Sequence, residues 1–243
     1  MTGAPSAGAI TAIPIHGIGE LTVGAEIADD VLAAAAAQGT PVRPYDCIVV
    51  TQKIVSKVED RVVDLDPDDP DARARVIEDE SVRIVRRRGD LVISETRHGF
   101  ICANAGVDVS NVALGTAALL PLDSDRSARH VRDRCRALGV DPVGVIVSDT
   151  FGRPWRHGLT DVAIGVAGIA AVHDLRGTVD AQGRELQVTE IAIADEVAGA
   201  ADLVMGKARN VPAAIVRGLD RAWFRDRTSV QELVRNPRDD LFR

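Results

Sequence analysis

The chain has 243 residues, 46% hydrophobic and 27% charged, enough for one large domain or two small ones with a sizeable core. Its net charge of -7 and its 3% of aromatic residues argue against a general nucleic-acid or anionic-membrane surface, and they leave the core to aliphatic side chains. No apolar run approaches the roughly 20 residues of a membrane span, and the first residues lack the pattern of a secretory leader. Three scattered cysteines (Cys47, Cys102 and Cys135), none in a CxxC pair, point to a reducing compartment, so the cytoplasm is the expected location.

Residues 1 to 9 are small and polar and are expected to be disordered. Ala12 to His16 reads as a first strand, ending in the turn-rich Gly17-Ile18-Gly19-Glu20. Ile27, Val31 and Leu32 mark a helix face that an alanine run continues to Gln38, with Gly39 as the left-handed stop. Cys47 to Thr51 reads as a buried strand, followed by the polar cluster Gln52 to Lys57. A Pro/Asp-rich loop covers Asp64 to Asp71, and Ala72 to Arg88 reads as one charged amphipathic helix with Ile77, Ile84 and Val85 on its apolar face. Leu91 to Ser94 and Phe100 to Asn104 are predicted strands, and Asp123 to Leu138 a helix.

Val143 to Ser148 reads as a buried strand that stops at Asp149-Thr150, followed by a polar loop with Arg153 and Arg156. Asp161 to Ala171 alternates Gly and Ala with Val and Ile, which predicts a close approach to its backbone. A strand at Val188 to Ile193, a helix at Asp195 to Met205 and a strand at Ala213 to Val216 complete the pattern. Strands and helices mix without strict alternation, which favours α+β with mixed sheets and flanking helices. The expected organisation is a main α+β domain from residues 10–60 plus 140–220, a smaller inserted subdomain at 61–139, and a C-terminal tail at 221–243.

Walker A, GxGxxG, GxSxG and HExxH motifs are all absent, and the five histidines do not pair at zinc-ligand spacing. Three polar clusters stand near apolar strands: Gly17 to Glu20, Thr51 to Lys57, and Ala103 to Asn111. Each alone also reads as an ordinary turn or strand exit. Taken with Asp149 and Thr150, they supply carboxylates and a hydroxyl for a hard divalent cation, Lys57 and backbone amides for phosphates, and Asn111 for a base or ribose. That is the equipment of a nucleotide-dependent transferase or ligase without a P-loop. A nucleotide- and metal-binding module without turnover, or a metal-dependent hydrolase, uses the same residue types.

At these residues the chain resembles a known family, the coenzyme F420-0:L-glutamate ligases (CofE, and the N-terminal part of actinobacterial FbiB). The matching stretches are Pro14 to Glu20, Val49 to Lys57, Ala105 to Asn111, Val147 to Arg156 and Val188 to Glu196, within a likeness that runs from about residue 11 to 219. The resemblance implies a CofE-like fold in an intertwined homodimer. It implies a GTP-dependent, GDP-forming ligase that adds L-glutamate through γ-linked amide bonds to coenzyme F420-0, with Mg2+ or Mn2+ and a monovalent cation such as K+. Matched residue by residue, Ile18, Gly19, Glu20, Leu21, Gln52, Lys57 and Asn111 correspond to nucleotide contacts. Asp108, Asp149 and Thr150 correspond to divalent-metal ligands. Many relatives have Ser or Thr at the place of Gln52, and archaeal relatives have a Gln where Lys207 stands, so no ligand is assigned there. A same-scaffold acid–amino acid ligase acting on another carboxylate is the alternative. The tail from Val230 to Arg243 resembles the region where fused members run on into a nitroreductase-like domain, so the chain reads as either a free-standing ligase or a piece of a longer protein.

Overall fold

A computed structural model describes residues 8–241. The disorder expected for residues 1 to 7, and the end of the tail at 242–243, lie outside the described residues, while residues 8–10 are exposed and irregular. In chain order the elements are β1 (Thr11–Pro14), α1 (Ile27–Ala37), β2 (Cys47–Thr51), α2 (Gln52–Val58), β3 (Val62–Asp64), α3 (Ala72–Asp79), β4 (Ser81–Arg88), β5 (Leu91–Thr96) and β6 (Ile101–Ala103). There follow β7 (Thr116–Ala118), α4 (Ser124–Ala137), β8 (Gly144–Arg153), β9 (Arg156–Ala167), β10 (His173–Asp174), β11 (Glu190–Ile191), α5 (Ile193–Met205) and β12 (Ala213–Arg217). Among the described residues the fold is mixed α+β, with several sheets and five α-helices, as the residue pattern predicts.

The main sheet has the order β1-β12-β2-β8-β9, parallel only at β2–β8. Cys47 to Val50 and Gly144 to Ser148 are buried without alternation, so both faces of this central pair are covered. Helix α4 packs on β8, β9 and α1, while α5 packs on β9, β12 and β1. Asp123 caps α4 by accepting the Arg126 N–H at 2.8 Å. A second, smaller cluster of Ile77, Val92, Ala105, Val107, Ala117 and Leu119 lies under the sheet β4-β5-β6 and the ribbon β3–β7.

Several local expectations are corrected. The helix predicted over Ala72 to Arg88 ends at Asp79, and Ser81–Arg88 is a strand paired antiparallel with β5. Val82, Ile84 and Val85 are β-branched, and Gly89-Asp90 forms a two-residue hairpin loop with Gly89 at φ +57°, so pairing overrides the helical spacing. The cluster Gln52 to Lys57 is helical, its Ile54 and Val55 buried. Strand β8 does not stop at Ser148 but runs on to Arg153, so Asp149 and Thr150 stand inside a hairpin opposite Val162 and Asp161. The predicted strand over Val188 to Ile193 is reduced to Glu190–Ile191, and α5 begins at Ile193.

Candidate functional site

A cavity of about 430 Å³ opens where β2 passes into α2 and β8 passes into its hairpin. Its walls come from Ile18 to Leu21, the first turns of α2, Asp108 and Asn111, Ser148 to Thr150, Asp161, and the segment from Asp202 to Pro212. All ten sequence-matched residues (Ile18, Gly19, Glu20, Leu21, Gln52, Lys57, Asp108, Asn111, Asp149 and Thr150) line this one cavity. Parallel pairing in register puts Thr51 beside Ser148, which brings the two halves of the wall together.

The acids are held in different ways. Asp108 sits just after a 3-10 turn at Asn104–Gly106, is bridged to Ala118 by backbone hydrogen bonds, and accepts the Ser110 N–H at 2.8 Å. Lys53 places its ammonium 2.8 Å from the other Asp108 oxygen. Burial works against the Asp108 charge, but Lys53 and Ser110 outweigh it and hold the carboxyl below its ordinary value. Among the described residues Asp149 has no cation at ion-pair distance. Burial pushes it up to about 7, with Asp108 and Asp161 adding in the same direction against the Thr150 amide and Lys53. Asp161, 4% exposed, accepts hydroxyl protons from Ser148 at 2.8 Å and Thr150 at 2.6 Å.

The Thr150 hydroxyl thus spends its proton on Asp161 and keeps oxygen lone pairs for a cation. Five acids (Glu20, Asp108, Asp149, Asp161 and Asp202) face three lysines (Lys53, Lys57 and Lys207) around the cavity. Two carboxylates and a hydroxyl of this kind fit a hard divalent cation in donor type and in charge. Among the described residues no three His, Cys, Asp or Glu side chains form a ready cage, and Asp108 is already taken by Lys53.

The remaining nucleotide candidates divide by the state of their side chains. Lys57 meets Glu20 at 2.5 Å. Asn111 donates to the Lys207 carbonyl at 3.1 Å and closes one rim. Gln52 is 1% exposed, and its amide donates to Ser56 Oγ and the Leu119 carbonyl, which leaves its oxygen an unspent acceptor. Arg153 and Arg156 are exposed at the far end of the hairpin and do not line the cavity. Sequence reasoning missed Lys53, Asp161 and Asp202. The signal for Asp161 is a lone acid at the start of the apolar run that ends at Ala171, in the middle of β9.

The profile of the family described as F420-0:Gamma-glutamyl ligase matches residues 17–218. The protein "Coenzyme F420:L-glutamate ligase" of Methanothermobacter thermautotrophicus is 39% identical, over 96% of this chain and 99% of its own length. Proteins of the same name from Methanopyrus kandleri and Methanocaldococcus jannaschii are each 40% identical, over 88% and 84% of this chain and 92% and 86% of theirs.

Proposed function

Because this chain belongs to the F420-0:gamma-glutamyl ligase family and is a ligase of F420 biosynthesis, we propose that it adds L-glutamate to coenzyme F420-0 at the expense of GTP, as a homodimer, with Mg2+ or Mn2+ and a monovalent cation such as K+. The observation that carries this reading is the convergence of ten family-matched residues on one cavity of about 430 Å³, within the usual size range of small-molecule sites.

Amide formation needs a leaving group that a carboxylate does not have. In the proposed route an oxygen of the acceptor carboxylate attacks the γ-phosphorus of GTP, an O–P bond forms, and the bond to the β,γ-bridging oxygen breaks with release of GDP. The glutamate amine then attacks the acyl carbon, phosphate leaves, and the amine loses a proton. A divalent cation on Asp108, Asp149 and Thr150 supplies charge neutralisation for the phosphates when bound. Lys57 supplies a point charge for phosphate oxygens. Asp161 orients the Thr150 hydroxyl, and the free oxygen of Gln52 is an acceptor for a nucleotide N–H or hydroxyl.

The test is incubation of the purified chain with GTP, L-glutamate, Mg2+ and F420-0. The expected outcome is a mass gain of one glutamyl residue with matching GDP, and transfer of one label from an 18O-carboxylate acceptor into phosphate. Asp149→Ala is expected to give no product while its melting curve stays near the native one. Absence of glutamylation, with turnover on another carboxylate in a panel, identifies the same-scaffold alternative. GTP binding without GDP release identifies a non-catalytic module, and near-native turnover by Asp149→Ala removes the metal assignment.

A further inference from the structure

Lys53 and Lys57 are four residues apart on α2, and both reach the same cavity. Only Lys57 belongs to the family-matched set. Lys53 is the more firmly held of the two. The two side chains are equally sheltered, at 18% and 19% exposed, but the Lys53 ammonium has two partners, 2.8 Å from Asp108 Oδ2 and 2.8 Å from Ser110 Oγ. The Lys57 pairing, in contrast, is to a Glu20 side chain that is 77% exposed. A lysine normally keeps its ammonium in water, so two contacts at this distance, one to a carboxylate only 28% exposed, mark a specific counter-charge.

That counter-charge is the carboxylate assigned above to a divalent cation. An ammonium and a divalent cation on one carboxylate would repel each other across a few ångströms and would compete for the same oxygen lone pairs. One must leave when the other arrives. The nearest new partners for an expelled ammonium are anionic oxygens brought into the same cavity.

We propose that Lys53 is a displaceable counter-ion that neutralises Asp108 in the metal-free protein and, once a divalent cation takes Asp108, transfers to a phosphate oxygen and positions the transferring phosphoryl group. The transfer to phosphate rests on the ligase reading, and the displacement from Asp108 rests only on the metal assignment within it. The first half concerns the free protein and needs no substrate.

The experiment titrates Mn2+ into nucleotide-free native protein, Lys53→Met and Lys53→Arg, followed by electron paramagnetic resonance of the unbound ion. Lys53→Met is expected to bind Mn2+ about tenfold more tightly, because a competing cation is gone, and Lys53→Arg to stay near the native affinity. In the same preparations, product formation by Lys53→Met is expected to fall at least tenfold in kcat with a smaller change in KM for GTP. Mn2+ binding by Lys53→Met that is equal to or weaker than native overturns the proposal, as does native kcat. Lys53→Gln repeats the titration if the Met variant melts early. A native protein that makes no product fails the ligase reading, while tighter Mn2+ binding by Lys53→Met still supports the exchange at Asp108. Tighter Mn2+ binding with an undiminished kcat overturns the transfer to phosphate.

Discussion

Asp195 shows how far one side chain can serve two demands at once. Its carboxylate accepts the Ala163 N–H at 2.9 Å and so ties the first turn of α5 to β9. Burial, only partly opposed by that hydrogen bond, raises its pKa. An acid whose folded pKa is raised holds its proton longer when folded than when unfolded, so the native state loses relative stability as pH climbs from the unfolded value of about 3.9 through the folded one. Asp195→Asn keeps an acceptor for Ala163 and removes the titration. Its stability relative to the native residue is therefore expected to be greater at pH 7 than at pH 4. Denaturant unfolding at the two pH values measures this, and an equal difference at both would refute it.

Which residues gather in one place is the most legible part of this chain. Asp108, Asp149, Thr150 and Asn111 stand out in the sequence as hard or amide ligands near strand exits, and they do share a cavity. Lys53 and Asp161 escape because their meaning lies in partners distant in sequence: Asp108 is 55 residues beyond Lys53, as the numbering shows, and the Thr150 contact depends on a hairpin register.

Among elements, the β8–β9 hairpin gives the cavity Ser148, Asp149, Thr150 and Asp161, and its packing against α4 depends on a glycine. A Cβ at Gly165 would lie 2.2 Å from the Ser124 carbonyl oxygen and 2.7 Å from Ser124 Cβ, where the start of α4 presses on β9. This is the close approach that the Gly/Ala alternation predicts. Gly165→Ala is expected to cost about 3 kcal/mol and to lower the melting temperature by roughly 6 to 12 °C. Gly152→Ala, with nothing within 4 Å of its Cβ, serves as the control and is expected to melt near the native temperature. Equal melting of the two variants would contradict the close-packing account. The helix expected at 81–88 fails for the opposite reason. Its apolar residues are sparse and satisfy both periodicities, and only the Gly89-Asp90 turn tells them apart.

At the scale of the whole molecule, the tail is strapped to the start of α4 and to the turn between β5 and β6, and its Val230, Leu233 and Val234 join the larger hydrophobic cluster. Asp125, 8% exposed in the first turn of α4, accepts Val166 N–H from β9, Ser229 Oγ–H and Val230 N–H. Farther on, Gln231 donates to the His98 carbonyl at the turn between β5 and β6. Asp125→Ala strands buried donors on both neighbours, at a cost of about 3 kcal/mol. Trypsin is expected to cut after Arg225 or Arg227 sooner in this variant than in the native chain. An unchanged cleavage rate would show that the tail is held by its apolar contacts alone. None of this strapping is legible in the sequence, since the tail carries little periodicity and its partners are about a hundred residues away.

The strand order β1-β12-β2-β8-β9 has a consequence for how the chain is made. β1 pairs only with β12, and β12 alone joins it to β2. On the ribosome the first strand therefore emerges with no docking place until residues 213–217 have followed it. Throughout that interval β2 keeps one edge open, the kind of edge that recruits a wrong strand. The strand that follows all its neighbours in the chain closes the sheet like a keystone, and until residues 213–217 have emerged the open edge of β2 is available for misassociation.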